Sequence, residues 1–596
     1  MSQVPVAIFS ASAAACSGAI FSHEEILRRR LQLRNGLARH VGLDDDCRRP
    51  RPGETAIPLY WSAMEGPYHL ETVILLLVAV LALTALARRL PIPYPIFLVL
   101  GGLGLSFVPR VPVVRLDPDV VFLIFLPPIL WAAAYFTSLR DFRGNLRPIL
   151  LLAVGLVVAT TVAVAMVARA VVPGMSWPVA FALGAIVSPP DAVAATAIAR
   201  QLRIPYRLVA VLEGESLVND AAALVLYRVA VAAAVTGSFV ISEALSQFVL
   251  AAAGGVIVGL LVGAATSRAM RVASESSAQI AITLLAPYVA WILAERVHTS
   301  AVLACVAGGI YVRQVFSAQV APATRLEARA VWDLFVFILN GLIFILIGLQ
   351  LGAIREAGLP GPLHTLLWQG AAISATAIGV RLVWVPLGSL LPRLLSPALR
   401  RRDPIPPWRH ILLVAWIGMR GVVSLAAALA LPMATAAGAP FPFRDQIILF
   451  AFGVILATLV LQGLTLTPLI RALRLGEDDT LDLEEAWARE AAARAALARL
   501  EELTRDPGMR REDIERLRAL YTQRLQRASP LAVGAGDSAE RAAYRRLRYE
   551  TLSAERRALI ALRDQGVISD EVLHRLEQQL DVEALRLGLG EAPLAP

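Results

Sequence analysis

The residues best suited to chemistry are a few charged and polar side chains set inside long apolar stretches. Asp191 lies in SPPDAVA, Ser188 to Ala194, and Ser216, Asn219 and Asp220 lie in EGESLVNDAA, Glu213 to Ala222. Arg420 sits in GMRGVVS, Gly418 to Ser424, and Arg381 stands alone in another apolar run. A carboxylate, a hydroxyl and an amide oxygen are hard donors, suited to small cations and to a proton. An ionisable group in hydrocarbon costs about 2.5–3.5 kcal/mol on insertion scales, so each of these residues is a functional candidate.

The spacing adds mechanism. Pro189 and Pro190 remove two backbone donors and should break a helix close to Asp191, and broken backbone at membrane depth is tolerated only beside a cavity or inside protein. A proline kink with Asp191 paired to a neighbour is the structural alternative. Ser216 falls four positions before Asp220 on one helix face, with Asn219 adjacent. The same cluster could instead join helices through hydrogen bonds. Gly418 and Gly421 bracket Arg420 and weaken the helix there. The charges of Asp191 and Arg420 suit the dipole ends of two broken helices, and a structural role for Arg420 stays open beside one in substrate contact. Arg381 needs a buried partner, for which Glu215 is the candidate, as an architectural pair. Arg228 has no assignment.

The elements that carry these groups are membrane spans. Of 596 residues 57% are hydrophobic and 17% charged, too apolar for a soluble enzyme of this length. The net charge of +9 resides entirely in arginine, with no lysine in the chain. Residues 476–596 hold 19 Arg against 24 acidic residues, and the rest holds 37 against 23. The excess therefore belongs to the apolar part, which favours membrane loops over nucleic acid. Cys16, Cys47 and Cys305 have no metal or disulfide spacing, and no cofactor is expected.

Stretches long enough to cross about 30 Å of hydrocarbon occur at 70–87, 92–109, 119–138, 148–168, 177–199, 208–235, 246–267, 278–295, 299–312, 331–353, 365–391, 410–432 and 446–470. Placing alternate loops on opposite sides puts twenty arginines on one side and six on the other. The positive-inside rule then places the C-terminal tail in the cytoplasm and the start of the first span outside. Spans 5 and 12 are both interrupted. Their offset of seven is that of inverted repeats, spans 1–6 and 8–13, around span 7, and matched interruptions in two halves point to a transporter site. The fold expected is all-α and polytopic.

Three domains are expected: 1–63, disordered or a gene-model artefact with Met64 as the true start; 64–475, the membrane domain; and 476–596, a helical cytoplasmic tail. The tail has helical spacing over 484–503 and 540–563, separated by Pro507, Pro530 and the Gly534–Gly536 stretch, and Ser569 can cap a last helix. It reads as a regulatory or dimer-stabilising module or as a solvated extension.

Taken with FLPPILWAAAYF (Phe125 to Phe136) and LQGLTLTP (Leu461 to Pro468), these motifs resemble, in order, the monovalent cation:proton antiporter family 1, which includes the bacterial NhaP-type sodium/proton exchangers. The resemblance covers about residues 65–475. It implies a homodimer in the bacterial cytoplasmic membrane, each protomer having a core of spans 4–6 and 11–13 that moves against a dimerisation domain. It implies that Asp220 carries cation and proton in turn, with Ser216 and Asp191 near the ion, and that Glu215 pairs with Arg381. Asn219 in place of a second Asp resembles the electroneutral branch. Two departures bear on selectivity. Pro190 stands where the family often has Thr, leaving a carbonyl as the available ligand, and Ala132 stands where many members carry an acid. The substrates implied are Na+, or K+ or Li+, and H+. A potassium/proton exchanger or an organic-solute carrier is the nearest alternative. A membrane enzyme or a sensor is a weaker one, since no HExxH, GxSxG or Walker A segment occurs.

Overall fold

A computed structural model describes residues 67–586 apart from 88, 90–92, 109–115, 192, 194–195, 197–201, 203, 238–240, 437, 476–479, 505–509 and 529–537. The expectations for residues 1–63, Met64, Cys16 and Cys47 lie outside the described residues. The chain is an all-α polytopic membrane protein, and each stretch expected to span holds a helix. These are α1 Pro67–Ala87, α2 Tyr94–Leu105, α3 Pro118–Phe136, α4 Leu146–Val171, α5 Trp177–Val187, α6 Tyr206–Thr236 and α7 Ile241–Val272. Then come α8 Ser276–Arg296, α9 Ala301–Gln319, α10 Pro322–Ala357, α11 Leu363–Leu395, α12 Trp408–Trp416, α13 Val422–Leu429 and α14 Arg444–Leu473. Among the described residues eight helices are long and apolar enough to cross a bilayer, and shorter apolar helices accompany them. The twelfth expected span is divided between α12 and α13. Thr72 to the C-terminal end forms one compact unit, and only the start of α1 precedes it among the described residues.

Proline sets several helix starts. Pro93 precedes α2, Pro205 precedes α6, Pro322 opens α10 and Pro407 precedes α12. Proline's missing N–H costs nothing at these positions and its φ is already helical. Gly237 ends α6 with φ of 74°, a left-handed cap. Inside helices, prolines and widened turns leave carbonyls that other helices satisfy. Pro128 cannot donate to the Ile124 carbonyl, which accepts instead from the Tyr288 hydroxyl at 3.3 Å. The Leu151 carbonyl, at the start of a widened turn in α4, accepts from the Trp384 indole at 3.0 Å. In a bilayer no water replaces such partners.

The packing gathers the helices into two sets. α3, α7 and α8 pack on α9, and α2 packs on α10; α5 packs against both α4 and α6, and α11 against α4, α12 and α14. In the second set a buried apolar cluster that includes Val164, Leu183, Ile373, Ala427 and Phe450 binds α4, α5, α11, α13 and α14 together. The second set and its interruptions carry every charged candidate in the membrane region, Arg228 of α6 included. In the first set, close approach depends on absent side chains. A Cβ on Gly102 would overlap the Ile345 carbonyl, and one on Gly348 would overlap the Val99 carbonyl. Small residues at such crossings let dispersion replace a hydrophobic drive that lipid does not supply.

The tail forms two helical hairpins: α15 Thr480–Leu503 on α16 Arg511–Ala528, and α17 Ser538–Asp564 on α18 Asp570–Arg586. The second is joined by Leu552, Leu580 and Ala584 and by an Arg556–Glu577 pair at 3.0 Å. Ser569 accepts from the Val572 N–H at 3.3 Å, as a cap. α16 falls outside the segments expected from sequence, although Ile514, Leu517, Tyr521 and Leu525 recur at helical spacing along one face.

Replacing Gly348 with Leu should cost about 1–3 kcal/mol of stability through overpacking, whereas Gly379→Leu, where a Cβ meets nothing within 4 Å, should cost little. Thermal unfolding of the two purified variants checks the difference.

Candidate functional site

The site is built where two interruptions meet. α5 stops at Val187, and residues 188–191 are non-helical because Pro189 and Pro190 carry no N–H to continue the ladder. Opposite, residues 417–421 are non-helical between α12 and α13. The Asp191 N–H donates to the Met419 carbonyl at 2.6 Å, so the two segments are tied backbone to backbone. The other end of the fifth expected span, beyond Asp191, lies largely outside the described residues.

Arg420 resolves the carbonyl ends left by these breaks. Its guanidinium donates to the Val187 carbonyl at 3.1 Å, to the Ala377 carbonyl of α11 at 3.0 Å and to the Gly418 carbonyl, and its backbone N–H donates to the Thr458 hydroxyl of α14 at 3.1 Å. The side chain is 1% exposed and contacts no carboxylate by ion pairing among the described residues. Its charge meets aligned carbonyl dipoles instead. Asp191 Oδ1 accepts from the Val193 N–H at 2.8 Å.

The glycines around Arg420 have a more specific role than weakening a helix. A Cβ on Gly421 would overlap the Asp191 carboxylate, and one on Gly418 would press on Arg381 Cδ at 2.6 Å. Both positions are required by close approach.

α6 brings the remaining candidates. Asn219 donates from Nδ2 to the Pro190 carbonyl at 2.8 Å, linking α6 to the break. That leaves Asn219 Oδ1 buried with no hydrogen-bond partner. The Pro190 carbonyl keeps a second lone pair for another ligand. One turn earlier, Glu215 forms a two-point pair with Arg381, at 2.5 and 2.9 Å, both side chains being almost fully buried. Arg381 also donates to the Val414 carbonyl at 3.1 Å, so this pair locks α6, α11 and α12.

Asp191, Ser216 and Asp220 line one cavity of about 330 Å³, together with Tyr94, Ala132 and Asn340. Among the described residues neither Asp191 nor Asp220 has an arginine or histidine as an ion-pair partner. The cavity also reaches Glu213, near the start of α6, and Phe136, the last residue of α3, which mark the arginine-rich end of the helices. A second cavity of about 550 Å³ is lined by Ala221, Leu224, Arg228, Glu295 and His298. Successive turns of α6 therefore serve first one cavity and then the other, with Asp220 and Ala221 at the change.

Several participants have little sequence signal. Thr458 is one hydroxyl in an apolar run, Ser424 is buried at the cavity wall with its hydroxyl unpartnered, and the backbone carbonyls of Val187 and Ala377 have no signature at all. Asn340, a lone amide in the run LFVFILNGLIFIL, had a signal of the same kind as Arg381.

Comparison with known proteins agrees in kind. The family model for the transmembrane sodium/hydrogen exchanger matches residues 75–472. An uncharacterized Na(+)/H(+) exchanger of Mycobacterium tuberculosis is 36% identical over 526 residues, covering 87% of this chain and 96% of that protein. A Bacillus pumilus protein named as a sodium, potassium, lithium and rubidium/H(+) antiporter is 34% identical over 413 residues, covering 66% of this chain and 60% of its own. Among solved structures, the sodium proton antiporter MjNhaP1 of Methanocaldococcus jannaschii superposes with a TM-score of 0.53 at 19% identity, over 68% of this chain and 98% of that one, which is a likeness of fold.

Two substitutions test the geometry. Glu215→Gln leaves the Arg381 charge buried and unpaired and should cost about 3–5 kcal/mol; replacing both Glu215 and Arg381 with apolar residues of similar size should recover much of it, as read by thermal unfolding. Gly421→Ala should displace the Asp191 carboxylate and lower cation binding at least tenfold, about 1.4 kcal/mol, as measured by calorimetry on the purified variant.

Proposed function

Because the chain belongs to the transmembrane sodium/hydrogen exchanger family, we propose that it is a secondary active antiporter that moves Na+ against H+ across the bacterial cytoplasmic membrane. The observation that carries this reading is the cavity holding two carboxylates, Asp191 and Asp220, with no protein cation paired to either among the described residues. A buried carboxylate must be neutralised, by a proton or by a bound cation. If the site reorients only when Asp220 carries a proton or a cation, the two ligands exclude each other and one gradient drives the other.

The roles then divide by chemistry. Asp220 is the shared carrier of proton and cation. Asp191, Ser216, the Asn219 amide oxygen and the Pro190 carbonyl supply further oxygens, and hard monovalent cations take oxygen ligands. Asn219 in place of a second carboxylate supports one cation for one proton. Arg420 holds the interrupted segments, and the Glu215–Arg381 pair holds α6 against α11 and α12. The first cavity serves the arginine-rich side, read as cytoplasmic, and the second cavity, with Arg228, Glu295 and His298, serves the other. Alternating access follows if the second set of helices shifts against the first so that Asp220 meets each cavity in turn. The name of the Bacillus relative supports K+ and Li+ as further cations. We also assign the chain to a homodimer with a cytoplasmic tail from 476 onward, by the distribution of arginine and by the family.

Asp220→Asn should abolish exchange while the protein stays folded. The test is dye-quench transport in proteoliposomes at several pH values with Na+, K+ and Li+ in turn, with gel filtration and thermal unfolding as controls. Wild-type rates of pH-driven cation movement by a well-folded Asp220→Asn protein would overturn the assignment.

A further inference from the structure

A cluster away from the ion cavity has the composition of a ligand site. Arg147 is the second residue of α4, Arg207 the second of α6, and Arg393 lies near the end of α11. All three belong to the arginine-rich side. They converge on a single acid, Asp403, which pairs with Arg393 at 2.5 Å and with Arg207 at 3.1 Å. Arg207 also donates to Asn145 Oδ1 at 3.0 Å, and Arg393 donates to the Ser389 carbonyl at 2.5 Å. Asp403 is then committed. Arg147 remains 3.9 Å from it, beyond a hydrogen bond, and both its terminal nitrogens are shielded from solvent with no hydrogen-bond partner among the described residues.

Three guanidinium groups around one carboxylate leave the cluster with excess positive charge, which an anion beside it would offset. Beside these groups is a cavity of about 610 Å³ whose other walls are apolar: Leu151, Leu152, Val211, Trp384 and Ile411. Its rim is the linker Pro404-Ile405-Pro406-Pro407, whose three prolines offer no backbone donor. The result is two-sided, cationic at the helix ends and greasy toward the membrane interior. A free phosphate or nucleotide would use the first half and gain nothing from the second. An anionic phospholipid uses both.

We propose that this cavity binds one anionic phospholipid, its phosphate at the exposed Arg207 and held by the excess charge that Arg147 and Arg393 add, and an acyl chain along Leu151, Leu152 and Trp384. Basic pockets between helices at the inner leaflet suit such headgroups. The lipid would touch α4, α6, α11 and the linker leading to α12, all in the set of helices that holds Asp220 and Arg420. It would therefore stabilise that set as a unit, independently of which ion is carried.

The test uses the full chain, purified in detergent and stripped of lipid, then titrated with phosphatidylglycerol, phosphatidylcholine or inorganic phosphate. Bound lipid is read by native mass spectrometry and stability by thermal unfolding. Phosphatidylglycerol should be retained and should raise the unfolding temperature, while phosphatidylcholine and phosphate should do neither. Arg147→Gln, which removes one charge and leaves the shorter pairs of Asp403 with Arg207 and Arg393 intact, should weaken retention of phosphatidylglycerol by about tenfold. Gly388→Leu, which fills the apolar wall where a Cβ meets only Trp384 Nε1 at 4.0 Å, should weaken it as well. Retention of phosphatidylglycerol unchanged in well-folded Arg147→Gln overturns the proposal. Equal effects of phosphatidylcholine would make the cavity a general lipid contact, and equal effects of phosphate a soluble-anion site; either result also overturns it.

Discussion

Everything in the membrane region depends on how charge is compensated where water is absent. An isolated ion in hydrocarbon is too costly to persist, so each buried charge must find a partner, a dipole or a mobile ligand. The chain shows the first two. Arg381 has a carboxylate in Glu215, at 2.5 Å. Arg420 has the Val187 carbonyl at the end of α5 and the Ala377 carbonyl of α11. Asp191, which accepts from the Val193 N–H, and Asp220 have no ion-pair partner among the described residues, and they face a cavity. In the proposed mechanism that deficit is what a proton or a cation fills.

The two kinds of compensation support each other. Breaking α5 at Val187 creates the carbonyl ends that Arg420 needs, and Arg420 in turn holds the 417–421 segment where Met419 can accept from the Asp191 N–H. The glycines flanking Arg420 leave room for Asp191 on one side and Arg381 on the other. Asn219 then fastens α6 to the Pro190 carbonyl, one position before the carboxylate that lines the cavity. Removing Arg420 or Asn219 would move a side chain or carbonyl at the cavity, although neither residue is part of its wall.

Much of this was legible in the sequence for a simple physical reason: hydrocarbon makes polar residues conspicuous. The span positions followed from apolar length, and Asp191, Asp220, Glu215, Arg381 and Arg420 stood out as costly exceptions. The Glu215–Arg381 pair expected from the burial of Arg381 is present. What stayed hidden were contacts made by backbone or by ordinary residues. The Val187 and Ala377 carbonyls carry no sequence mark, Thr458 resembles its neighbours, and the two glycines read as helix weakeners although their task is to admit neighbouring side chains. The division of the twelfth span into α12 and α13 followed from local chemistry, but the crossing with the fifth is a tertiary fact. In the tail, α16 was missed although Ile514, Leu517, Tyr521 and Leu525 mark one face, a short stripe among many charges.

The central claim is that one carboxylate site holds either a proton or a cation. The most direct measurement counts protons released per Na+ bound to the purified protein, by calorimetry in buffers of different ionisation enthalpy. The account predicts about one proton released per ion where the carrier is protonated, the linkage expected of a shared site, and none from Asp220→Asn. Sodium binding that releases no proton at any pH would contradict it.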